Sequence, residues 1–213
     1  RQGFDGTTMK DIARAAGIGD ATIYKYFPTK DRIVLGYLDD VAHQALADTL
    51  QTPGFAGYGL QEKLQRLTDA VLERLLADRE FVAQVRGLAR RSPLSMLAEP
   101  LAARQSLRDA VASFLEAAEA SGEIEPCDFK GLAGSLYTDY LAGVVSYWLA
   151  DTSDEFADTT QLVDLSLGVL VQALRGGLVN RVLQLGGFVL RSQMARMVQP
   201  VSYTHLTLPT TPY

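Results

Sequence analysis

Apolar residues in this chain recur every three or four positions, and that spacing leaves helices as almost the only regular structure open to it. Leu64, Leu67, Val71, Leu72 and Leu75 fall on one face of a single helix. The alternating runs and Asn-Gly hairpin signals that a sheet would need do not occur. Breakers set the lengths. The punctuation predicts helices over Thr8–Ala16, Asp20–Phe27, Lys30–Leu50, Leu60–Ala77, Asp78–Arg91, Leu101–Ser121, Asp128–Ala150, Thr159–Leu174 and Leu178–Val198. Gly17 and Gly122 stop two of them, Pro28 and Ser92-Pro93 two more, and Gly186-Gly187 is expected to kink the last. The fold class is therefore all-α, with no repeat of fixed period.

Charge narrows the function. The 20 Lys+Arg are outnumbered by 25 Asp+Glu, for a net charge of −5. A protein that coats nucleic acid over its whole surface would be basic, so any such binding must come from a local patch. The one cysteine, Cys127, allows no intramolecular disulfide, and no Cys/His cluster has zinc spacing, so neither a metal nor a cofactor is expected. There is no Gly-rich phosphate loop, nucleophile elbow or HExxH, and Asp39-Asp40 reads as solvated helix surface, so an enzyme is not expected. No stretch reaches the ~20 apolar residues of a membrane span, and no signal peptide is visible; a cytoplasmic protein is expected.

Both ends stand apart. Arg1-Gln2-Gly3-Phe4 reads as the exit of a helix, which suggests an N-terminal truncation. Val201–Tyr213 is rich in Thr and Pro and loses the helical period. Val201–Thr210 is what gtctcttatacacatctgacgctgccgacg encodes, and that string resembles a transposase-type sequencing-library adapter. The tail is expected to be non-native, and its His205 is set aside.

The informative stretch is Gly6–Lys30. It reads as two short helices joined by a tight turn at Gly17-Ile18-Gly19. Ile12, Ala13 and Ala16 form one apolar face, against which Ile18, Ile23 and Phe27 can pack. The second helix then exposes Asp20, Ala21, Thr22, Tyr24, Lys25 and Tyr26, short or hydrogen-bonding groups that suit a DNA major groove.

The pattern Thr8, Asp11-Ile12-Ala13, Ala16-Gly17-Ile18, Thr22-Ile23-Tyr24, Tyr26-Phe27 and Thr29-Lys30 resembles the DNA-binding domain of the TetR/AcrR family of bacterial repressors. The resemblance implies a helix-turn-helix head over residues 1–48, with most of its first helix missing. It also implies a helical ligand-binding and dimerisation body over 49–200, followed by the tail at 201–213. Its partners would be a palindromic double-stranded DNA operator, a small, largely apolar effector and a second copy of the chain. By the same resemblance, Thr8 and Lys10 would approach phosphates, and Ala21, Thr22 and Lys25 would face base edges. Tyr24 and Tyr26 would hydrogen-bond phosphates, and Lys30 would grip one together with the amides of its helix. Two residues depart from the family pattern. Gly19 stands where Ser or Thr usually caps the helix, and Asp20 where a neutral or basic residue is usual. Asp20 either caps the helix or accepts from a cytosine amino group.

In the body, His43, Phe81, Phe114, Tyr137, Tyr140, Tyr147 and Trp148 are candidate pocket residues, though ordinary core packing, or surface for His43, is the commoner use of such side chains. Arg86, Arg90 and Arg91 share a helical face that could take an acidic ligand such as an acyl-CoA or simply face solvent. Gly131, Gly134, Ser135, Thr138, Ala142 and Val145 form a small-residue ridge, with Leu162, Leu165, Val169 and Ala173 as a companion stripe. They suit a dimeric four-helix bundle, or burial within one chain. Leu178, Val182, Leu185, Val189 and Met197 give the last helix an apolar face. It could extend the dimer, cover the pocket or lie on a membrane, with Arg181, Arg191 and Arg196 on the polar side. Helix Lys30–Leu50 is expected to be the only element touching both head and body. A different function, a helical protein-interaction module with a vestigial head, is kept open by Asp20 and the acidic balance.

Overall fold

The computed structural model describes residues 3–91 and 102–198, and among these there is no strand. The helices are α1 (Gly3–Gly6), α2 (Met9–Ala15), α3 (Asp20–Tyr26), α4 (Lys30–Leu50), α5 (Leu60–Leu76), α6 (Arg79–Arg91), α7 (Ala102–Ala120), α8 (Lys130–Ala150), α9 (Ala157–Arg175) and α10 (Leu178–Val198). Each of the nine predicted helices is present, with ends shifted by at most about two residues. α10 is continuous through Gly186-Gly187. The tail at 201–213 and Leu101 lie outside the described residues.

Local chemistry explains the boundaries. Thr8 caps α2 by accepting from the Asp11 amide, and the Asp11 carboxylate accepts from the Thr8 amide in return. Thr29 caps α4 through the Arg32 amide. Gly17 ends α2 at φ 68°, a left-handed conformation that lets the Ile18 amide reach back to the Ala13 carbonyl. Two 3₁₀ turns, Phe55–Gly57 and Asp154–Phe156, punctuate the loops.

α1 to α3 and the start of α4 form a small head with its own core of Met9, Ala13 and Ile23, flanked by Ile12, Phe27 and Ile33. Ala16 and Ile18 were expected in that core, but both are exposed. Met9, one turn before Ala13 on the same face, and Ile33 of α4 take the space instead. The body is built on α5, with α4, α7 and α9 packed against it and α8 laid along α7. Leu60, Leu64, Leu67, Phe114, Val144, Trp148, Val163 and Leu167 lie in one continuous core. At Gly134 a Cβ would stand 2.7 Å from the Arg108 carbonyl oxygen, so α8 meets α7 backbone to backbone there. Arg79 closes the far end of α8 by donating to the Trp148, Leu149 and Asp151 carbonyls at 2.9, 3.2 and 2.8 Å. Its guanidinium lies over the Trp148 and Phe156 rings.

α4 is not the sole bridge between head and body, because α1 also touches α6. α4 and the α5–α6 corner are joined directly as well. The Tyr37 hydroxyl donates to Asp78 at 3.0 Å, and the Tyr37 ring meets Phe81 edge-on at 5.4 Å. Desolvation, then the bond to Asp78, pushes the Tyr37 phenol up to about 12, so it stays a donor at neutral pH.

Candidate functional site

The head presents α3 as an exposed rod pinned by one buried residue, Ile23. Ala21, Thr22, Tyr24, Lys25 and Tyr26 all face outward, as do Thr8 and Lys10 on α2. Tyr24 is 46% exposed and Tyr26 67%, which leaves much of both rings open to a partner. The Lys25 ammonium lies 5.8 Å from the Tyr26 ring centroid. The Thr8 hydroxyl also donates to Asp11 at 2.6 Å, which holds that carboxyl below its usual range. Gly19 is the N-cap of α3 and offers no side-chain hydrogen bond, so Asp20 occupies the first helical position rather than the cap.

Lys30 makes contacts within the head itself. Its ammonium donates to the carbonyls of Phe4 and Thr7 at 2.6 and 2.8 Å and stacks over the Phe4 ring at 4.6 Å. It ties α1 and the α1–α2 turn to α4, because those carbonyls at a helix end need donors and the Lys30 ammonium supplies them.

Within the body, a cavity of about 400 Å³ lies where α4, α5, α6, α7 and α8 converge. Val41 and Ala42, Val71 and Leu75, Val82 and Val85, Leu107, and Leu141 with Leu149 supply the apolar wall. Polar groups are few: Asp39, Arg86, Arg104, Thr138, Asp139 and Ser146. Arg104 pairs with Asp139 and donates to the Thr138 hydroxyl at 3.2 Å. Arg86 donates to the Ser146 carbonyl at 2.7 Å. Such a vessel, apolar with a few convergent polar groups, has the size and character of a small-molecule site. Among the described residues no group of three or more His, Cys, Asp or Glu could hold a metal ion.

The comparisons with known proteins bear on both parts. Residues 1–36 match the model of bacterial regulatory proteins of the tetR family. Residues 63–189, more than half of the chain, match the tetracyclin repressor-like C-terminal domain. The chain belongs to the TetR family. It is similar in fold to Salmonella enterica GusR, at 22% identity and a TM-score of 0.57, over 81% of this chain and 86% of that one. A TetR-family transcriptional regulator from Rhodococcus sp. aligns at 21% identity and TM-score 0.53, over 80% and 88%. The regulator PfmR from Thermus thermophilus aligns at 18% and 0.50, over 80% and 91%. A comparison with the curated proteins finds no match.

The TetR body distributes the predicted residues differently from the sequence reading. None of the seven candidate pocket residues lines the cavity. Phe114 and Trp148 are core. Tyr137 is buried and bonded to the Leu64 carbonyl and the Thr68 hydroxyl, with desolvation raising its phenol far above the usual value. Tyr140 bonds Ser166, Phe81 packs on Tyr37, and Tyr147 faces outward. His43 is exposed, between the Asp39 carbonyl and the Ser106 hydroxyl, at 2.9 and 3.4 Å. Of the predicted dimer ridge, Thr138, Ala142 and Val145 line the cavity and Gly134 packs on α7, while Gly131 and Ser135 lie toward the surface. Aliphatic residues at helical spacing carry no mark separating a cavity wall from a core, which is why the sequence pointed to aromatics instead. Arg86 does reach the cavity; the side chains of Arg90 and Arg91 lie outside the described residues, as do those of Arg196 and Met197.

The companion stripe is placed outward. Leu165 is 59% and Val169 72% exposed, Leu162 is half-buried, and a shallow groove runs from Leu165 past Gly168 and Ala173 to Leu178. α10 continues it with exposed Val182, Leu185, Phe188 and Val189. Among the described residues no single helix is long and apolar enough to cross a membrane. The pair Asp154–Arg175 and Leu178–Met194 passes by length and composition only when taken together across a 74° bend.

Proposed function

We propose that this TetR-family regulator is a dimeric repressor released from a palindromic operator by a small molecule held in the body cavity. The observation that carries the reading is the adjacency of cavity and head. Val82, Val85 and Arg86 of α6 line the cavity, and α6 touches α1 while its first turns meet Tyr37 of α4. An effector that fits better when α6 is displaced would shift both supports of the head at once. That differential fit is what an effector needs, because equal affinity for two conformations shifts nothing. Residues 1–48 act as the DNA-reading head and 49–200 as the effector and dimer body. Ala21, Thr22 and Lys25 read base edges, with Thr8, Lys10, Tyr24 and Tyr26 on phosphates. The outward apolar stripe of Leu162, Leu165 and Val169, extended by α10, meets its copy across a two-fold axis as a four-helix bundle.

Selection from random duplex DNA with the full chain tests this. The expected outcome is a near-palindromic site bound by two chains, with affinity falling steeply as salt rises. Lys25→Ala should then lose affinity, and Val169→Glu should give a monomer with no operator binding. Enrichment of no sequence by a folded dimer would overturn the reading and favour a protein-interaction module.

A further inference from the structure

We infer that the cavity is built for an amphipathic anion, a carboxylate or similar group on an apolar tail, and that Arg86 receives the anionic end. This rests on the reading of the cavity as the effector site and goes on to name the effector's chemistry.

The argument is an account of the charges on the wall. Arg104 and Asp139 neutralise one another, and Thr138 takes a further Arg104 donor. Asp39 is itself engaged. Arg86 differs. It is half-buried, and among the described residues its guanidinium meets one acceptor, the Ser146 main-chain oxygen at 2.7 Å, and no carboxylate. A guanidinium carries five N–H donors in a planar fork, so among the described residues most of this fork has no protein acceptor. Water in the cavity can satisfy it. An apolar ligand filling the space would expel the water and strand a charge, which is costly. A cationic ligand would be opposed outright. A carboxylate replaces the water and matches the fork with two parallel hydrogen bonds. The rest of the wall, Val71, Leu75, Val82, Val85 and Leu107, offers only apolar contact and suits a tail.

Isothermal titration of the full chain with decanoate, decanol and decylamine, matched in chain length, tests the inference. Two variants are added: Arg86→Gln, which removes the fork's charge, and Ala142→Trp, which fills the cavity from its α8 wall. The expected result is that decanoate and decanol bind and both are lost in Ala142→Trp. Arg86→Gln should weaken decanoate by about tenfold, the scale of one charge-assisted hydrogen bond, and leave decanol within about twofold. Because Arg86 also bridges α6 to α8, the quantity read is the decanoate-to-decanol ratio, which a general loosening of the fold would not move. If Arg86→Gln changes both probes equally or neither, or if decylamine binds better than decanoate, the anion inference falls and the cavity reading stands. If no probe binds, or Ala142→Trp changes nothing, the cavity reading fails and takes the inference with it.

Discussion

Head and body are held together by different physics. Among the described residues the head's own core cluster has three buried members, Met9, Ala13 and Ile23, and it leans on caps and on the Lys30 tie. In the body, buried side chains from α4 to α9 share one continuous core. A surface that reads DNA must leave α3 exposed on most of its circumference, so little is left to bury. The head accordingly rests on its attachments to α4 and α6, the two helices through which the proposed effector would act on it, and the body supplies the stability that the head lacks.

The largest lesion should come from the body. Trp148→Ala empties a fully buried site beneath Arg79 and should cost about 3–5 kcal/mol in urea unfolding followed by far-ultraviolet circular dichroism. A loss under about 1 kcal/mol would mean that the body core is not the foundation described. Next comes Ile23→Ala, expected to cost about 2–3 kcal/mol within the head. Trp148, the chain's one tryptophan, reports the body independently. Its fluorescence unfolding curve should hardly move while amide protection over residues 9–26 is lost. An equal shift in the Trp148 curve would show that head and body unfold as one unit, and the contrast between them would collapse.

Acid provides the smallest and most discriminating comparison, because each region has a carboxylate that accepts from amides beside a helix start and is lowered by those bonds. In the head, Asp11 is lowered by its bonds to the Thr8 hydroxyl and amide. In the body, Asp151 accepts from the hydroxyls and amides of Ser153 and Thr159, and these bonds hold it far below the usual carboxylate range. A depressed folded value means stabilisation that is complete above the unfolded value of 3.8 and is lost as pH falls through the folded one. Asp151→Asn should therefore flatten the fall of the Trp148 unfolding midpoint below about pH 4, where protonation would otherwise begin to act. Asp11→Asn should leave that midpoint alone and change only the head's amide protection. Full acid sensitivity in Asp151→Asn would place its origin elsewhere.

How much of this was readable in advance depends on how local each feature is. Thr8, Thr29, Gly17 and Gly122 act within a few residues of themselves, so helix ends could be read almost to the residue. The exposed face of α3 was legible for the same reason. The Lys30 tie was not legible, because its partners, Phe4 and Thr7, lie more than twenty positions away and are main-chain atoms that leave no sequence signal. Gly134 was read as a possible dimer contact, since a small residue permits close approach without naming the helix that approaches.

The sequence by itself determined that this chain is helical, where its helices begin and end, and that its first fifth holds two short helices joined by a tight turn; the TetR type came from resemblance. The helical properties follow from propensity, capping and spacing, which act over one or two turns. Tertiary structure decided which faces meet. It turned Thr138, Ala142 and Val145 toward a cavity and left Leu165 and Val169 outside. It also brought Arg86 from α6 to Ser146 on α8, sixty residues away. An aliphatic stripe specifies that a helix must be covered on one side, and only the packing of all the helices together says by what.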